Sequence, residues 1–237
     1  MKIIYYDNHL LIVLKPAGIS TQPHEETKDN LLDQAKAWLK KQFQKSGNVF
    51  LEAVHRLDKP VSGLVLFART SKSLSRLQEM MRQHKIEKTY FAWVEGALPQ
   101  ERGTLEHYLF HDEYRARVVA PSHPQSKCAR LHYLQIDVRH NHPEKSLVEI
   151  HLETGRYHQI RAQFAHIGCP VVGDLKYGSI IPWKKEEIAL HHGRLKFLHP
   201  VTKSELCFES NIPHPLRLCE FGLRQSPGDR SIANGSI

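Results

Sequence analysis

The chain has 237 residues, 41% of them hydrophobic, which is enough for a real core in one large or two small domains and excludes wholesale disorder. Lys and Arg number 33 against 25 Asp and Glu, a formal charge of +8 with the 17 histidines counted neutral. That excess favours a polyanionic partner but does not separate RNA from DNA or an acidic membrane surface. Cys128, Cys169, Cys207 and Cys219 are scattered and form no CxxC pair, so neither a disulfide framework nor a zinc ribbon is supported. No apolar run is long enough to span a bilayer, and residues 1–7 lack a signal-peptide pattern. The expectation is a soluble, cytoplasmic protein with no membrane association.

In chain order, His9 to Lys15 is a buried-strand pattern stopped by Pro16-Ala17-Gly18. Asn30 then caps a helix whose apolar residues Leu31, Leu32, Ala35, Trp38 and Leu39 recur at helical spacing. Gly63 leads into Leu64-Val65-Leu66-Phe67-Ala68, a central strand. Ser71 or Ser73 is expected to cap the next helix, with Leu74, Leu77, Met80 and Met81 on its apolar face and the Met pair filling core. Residues 89–94 form a β-rich run, and residues 146–152 alternate as a half-buried strand should. Ile160, Phe164 and Ile167 share one helix face, and Gly168 stands where that helix would end. Leu206 to Glu209 predicts one more strand. The fold class is α+β, strands outnumbering helices, in one domain over residues 1–223, with residues 224–237 expected as a disordered tail.

Two segments carry chemistry. His55-Arg56-Leu57-Asp58-Lys59-Pro60-Val61-Ser62-Gly63 sets an acid between cations in a loop whose freedom Pro60 and Gly63 restrict. The flanking charges favour an ionised carboxylate, as a nucleophile or base requires, although a solvated charged turn reads the same way. Gly155-Arg156-Tyr157-His158-Gln159-Ile160-Arg161 runs into a helix start. Its N-H groups, with Arg156, His158 and Arg161, make an anion-receiving surface, unless the arginines merely face water. The turn-rich residues 168–178 suggest a constrained loop packed near that helix, with Asp174 in a loop-supporting role.

Taken together and in order, Lys15-Pro16-Ala17-Gly18, residues 55–63, residues 155–161, Gly173-Asp174 and Tyr177-Gly178 resemble the RluA family of pseudouridine synthases, from about Tyr5 to about His199. The resemblance implies the pseudouridine synthase fold, a mixed, mostly antiparallel sheet with flanking helices and a central active-site cleft. It implies Asp58 as the catalytic aspartate, Tyr90 as the ring lying against the target base, Arg161 as the partner of the carboxylate, Leu190 as the apolar wall opposite, and Arg56 as the side chain that replaces a flipped-out base. Gln163, often histidine in relatives, and His192-Gly193, where a small residue commonly follows the histidine directly, depart from the usual pattern.

The implied reaction isomerises uridine in structured ribosomal or transfer RNA. It needs no cofactor and no metal, in keeping with a sequence that has no dinucleotide fingerprint, P-loop or metal-ligand spacing. Asp58 adds either to the pyrimidine ring or to the anomeric carbon. No obligatory protein partner is evident. Two rivals are a non-catalytic RNA-binding or RNA-chaperone protein on the same fold and a metal-dependent hydrolase built on His191, His192 and Asp174.

Overall fold

Two continuous apolar runs lie at the heart of the fold, and their continuity means that both faces of the sheet are covered there. The computed structural model describes residues 1–23, 29–139 and 144–210. Strands β1 (Lys2–Tyr6), β2 (Leu10–Lys15), β3 (Glu52–Ala53), β4 (Ser62–Ala68) and β5 (Glu87–Glu95) come from the first part of the chain. Strands β6 (Arg102–His111), β7 (Ala116–Val119), β8 (Lys127–Arg139), β9 (Lys145–Leu152), β10 (Leu190–Leu198) and β11 (Glu205–Glu209) complete one sheet. Its order is β1-β2-β4-β10-β5-β9-β8-β6-β7, with β3 beside β4 and β11 beside β10. All the described pairings are antiparallel except that of β4 with β10.

Helices α1 (Leu31–Gln42) and α3 (Gln159–His166) cover one face, packing Leu31, Leu39, Ile160 and Phe164 into a core with Leu11, Val13, Val65 and Phe67. Helix α2 (Ser71–Arg82) covers the other, where Leu77 meets Leu10, Ile12, Leu64 and Leu66. Alternate residues of β2 and β4 therefore serve opposite cores. Asn30 caps α1 as expected, its side chain accepting from the Asp33 amide at 3.0 Å. Helix α2 is capped instead by Thr70, whose Oγ1 accepts from the Ser73 amide at 3.1 Å, because Thr70 is the last extended residue before the helix.

Residues 146–152 do form a strand, but Ser146, Leu147, Val148 and Ile150 are all buried. The strand is interior to the sheet, between β5 and β8, so its first half has no solvent face. The expected tail, 224–237, lies outside the described residues. Among the described residues, no helix is long and apolar enough to cross a membrane.

Gly63 joins β4 to β10 at close quarters. Its φ is +131°, and a Cβ there would stand 2.5 Å from the backbone nitrogen and oxygen of His192. No side chain fits without moving β10. Gly63→Ala should destabilise the fold by at least about 2 kcal/mol, read as a shift in the urea midpoint, while Gly47→Ala, which meets nothing within 4 Å, should not.

Candidate active site

The register across β4, β10 and β5 assembles the site. Gly63 lies opposite His192, and His192 opposite Tyr90, so the loop before β4 is carried to the middle of the sheet beside Tyr90. A cleft of about 520 Å³ opens there, lined among the described residues by Arg56, Asp58, Tyr90, Arg156, Arg161 and Leu190, within the size range of ligand sites. His158, Lys59 and Lys88 also line it, and so does Met81, which was expected only to fill core.

The loop bearing Asp58 is tied down on three sides. Thr21 Oγ1 donates to the Leu57 carbonyl at 2.9 Å and accepts from the Leu57 amide at 3.1 Å. Lys15 is fully buried, and its ammonium donates to the carbonyls of Pro16 at 3.0 Å and Lys59 at 3.1 Å. Burial lowers its pKa to about 7, while the charge of Asp58 acts in the opposite sense. The Gly18 amide reaches the Lys59 carbonyl as well, at 2.9 Å. The Lys15-Pro16-Ala17-Gly18 segment thus scaffolds the loop.

Arg161 is the hub of the charges. Its Nη1 donates to Asp58 Oδ2 at 3.0 Å, while Nε and Nη2 donate to the two oxygens of Asp174 at 2.6 and 2.9 Å. Burial works against the guanidinium charge, but Asp174 and Asp58 outweigh it and hold its pKa above the ordinary value. A bidentate clamp of this kind fixes the plane of the guanidinium, and so fixes the direction from which Asp58 is held. Asp174 is therefore more than the support of its loop. Its side chain is 1% exposed and belongs to the charge network.

His158 turns inward. It heads α3 with φ of +51°, its Nδ1 is 2.9 Å from the Tyr177 hydroxyl, and its Nε2 stands 3.5 Å from Asp58 Oδ2. Burial, then the adjoining Arg161 charge, lowers its pKa to about 2, so this is the approach of a neutral ring and not an ion pair. Of the three donors expected to receive an anion, Arg161 and His158 are thus turned onto the protein's own carboxylates. Arg156 alone faces the open cleft, its Nε on the Cys128 carbonyl at 2.9 Å. The arrangement follows from burial, since carboxylates within the protein are the partners that compensate a buried guanidinium.

Tyr90 and Leu190 are buried walls of the cleft. One face of the Tyr90 ring stacks on His192, centroids 4.5 Å apart and planes 19° apart. Burial, then Asp58, pushes the pKa of the phenol well above its usual range, so it is neutral. Arg56 is exposed at the rim. Gln163 is fully buried, and its Nε2 donates to the carbonyls of Leu105 at 3.0 Å and Ala129 at 3.1 Å, pinning α3 to β6 and β8. His191 is held between Ser62 and Ser210, and His192 Nδ1 is 2.6 Å from the Leu64 carbonyl, so these histidines are engaged elsewhere than with Asp174. Thr21 and the stack beneath Tyr90 were not foreseen from sequence. A lone threonine carries no signal, and the His192 stack depends on strand register.

The fold is that of pseudouridylate synthases. The human RNA pseudouridylate synthase domain containing 4 is similar with a TM-score of 0.73 over 91% of this chain and 90% of that one, at 20% identity. Residues 9–166 match the RNA pseudouridylate synthase family, and the chain belongs to that family. It is 31% identical over 231 residues to ribosomal large subunit pseudouridine synthase D of Zymomonas mobilis, covering 92% of this chain and 71% of the relative. It is 30% identical over 238 residues to tRNA pseudouridine synthase C of Vibrio parahaemolyticus, covering 90% of each.

Proposed function

We propose that this pseudouridine synthase isomerises uridines of structured ribosomal or transfer RNA in the cytoplasm, with Asp58 as its catalytic residue. The observation that carries this reading is Asp58 itself, 26% exposed, the one carboxylate among the described residues that line a cleft also lined by five lysines and arginines, and held at one oxygen by a clamped arginine. The glycosidic bond from ribose C1′ to uracil N1 breaks, the ring turns, and C1′ rejoins C5. The C5 proton leaves and N1 gains one, so no electrons are gained or lost.

Asp58 supplies the nucleophilic oxygen, and Arg161 balances its charge without covering the second oxygen. Tyr90 offers its open face to the uracil, and Leu190 keeps the opposite side dry. The uridine must leave its stack to enter, at about a few kcal/mol, with Arg56 at the rim placed to fill the gap. Release of tritium from carbon-5-labelled transcripts, with and without chelator, tests the reading. Release that ignores the chelator is expected; none on either RNA would overturn it.

The exposed cations Arg56, Lys59 and Arg156 at the cleft also define how RNA binds. If these three alone meet phosphates, log affinity should fall against log salt with a slope of about −2 or steeper. Filter binding between 50 and 200 mM salt reads this directly, and a flat response contradicts it.

A further inference from the structure

Lys88 is the buried cation of the cleft that the reaction above does not use. It lies on β5 two residues before Tyr90, on the same face, and is 7% exposed. Among the described residues its ammonium makes no hydrogen bond and no ion pair, and burial alone lowers its pKa, to about 8. Asp58, whose charge reaches Lys15, Tyr90 and Arg161, is not among the causes of that shift.

Among the described residues the other buried cations are partnered: Lys15 by carbonyls and Arg161 by two carboxylates. The ammonium of Lys88 instead ends against the backbone of Gly155, 3.7 Å from where a Cβ would stand, at an exposed stretch that continues into Arg156. A glycine there leaves the ammonium open to the cleft. A desolvated lysine without an acceptor is unfavourable unless a ligand completes it, and the acceptor that best matches a full charge is an anion.

We propose that Lys88 binds a non-bridging oxygen of the phosphodiester attached to the target uridine, and so sets how far that nucleotide enters the cleft. The proposal rests on the synthase reading and deepens it. Lys88 and Gly155 line the same cleft as Tyr90 and Asp58, so a nucleotide with its uracil on Tyr90 and its sugar at Asp58 has an adjoining phosphate to offer the ammonium. A neutral uracil carbonyl offers the ammonium only a dipole. Arg156, exposed beside Gly155, supplies a second charge to the same phosphate.

The test uses the full chain with Lys88→Met and Lys88→Arg, on in vitro transcripts of ribosomal and transfer RNA. For Lys88→Met the expected result is KM raised about tenfold or more with kcat little changed, the size of one charge-assisted hydrogen bond. Its salt slope should be shallower by about 0.7 to 0.9, one phosphate fewer. Lys88→Arg should keep the wild-type slope. Melting of Lys88→Met should be at or above wild type, since an unpaired buried charge is removed. Unchanged KM and slope overturn the proposal, and so does a lower melting temperature, which would give the ammonium a structural partner in the protein. Wild-type silence in tritium release would instead break the synthase reading, and the salt slope by filter binding would still judge Lys88.

Discussion

Asp58→Asn should fold, bind RNA about as well as the wild type and form no detectable pseudouridine, a loss on the order of 10⁴-fold or more in turnover. The substitution keeps the shape of the side chain and an oxygen to accept from Arg161, but removes the charge and the nucleophile. Folding survives because Arg161 keeps its two bonds to Asp174, so no uncompensated guanidinium is left. RNA affinity survives because the cations of the cleft are untouched. Pseudouridine mapping of a transcript incubated with the purified variant decides the matter: conversion near the wild-type rate would remove Asp58 from the chemistry.

Asp174 gives the second large effect, and it appears first in stability. Asp174→Ala leaves the buried Arg161 with one carboxylate in place of two and should cost about 3–5 kcal/mol, the range for breaking a buried pair from one side. Arg161→Met combined with Asp174→Ala removes both charges. The double variant should recover much of that stability in urea denaturation yet stay inactive, because Asp58 has lost the guanidinium that holds it. Additive losses would show that the two side chains act independently, against the clamp.

Much of this site could be read before any coordinates. The segment around Asp58, an acid between Arg56 and Lys59 in a loop that Pro60 and Gly63 restrict, was legible because it occurs in order with residues 15–18 and 155–161, and β2, α1, β4 and α3 were legible from periodicity. Strands β6, β7 and β8 were not. β6 buries only Leu105 and Leu109 in ten residues, and the C-terminal half of β8 is half-buried throughout, so neither offers an apolar alternation to find. The inward turn of His158 was equally hidden. It depends on a left-handed backbone angle at a non-glycine residue, which sequence does not mark. Asp174 sat in a turn-rich loop whose pairing partner lies 13 residues earlier on a helix, and only the folded chain shows that the two meet.

Strand β10 lies between β4 and β5 although it comes near the end of the described chain. The bond from Ser62 to His191 spans 129 residues, and the one from Arg161 to Asp58 spans 103. Contacts of such long range make folding slow, because the loops must close before the contacts reward them. During synthesis, β4 and β5 emerge long before the strand that joins them, each presenting an edge of unpaired backbone groups. The nascent chain is therefore most exposed to misassociation in the interval between residues 95 and 190, and the catalytic pocket comes into being only when that late strand slides into the gap.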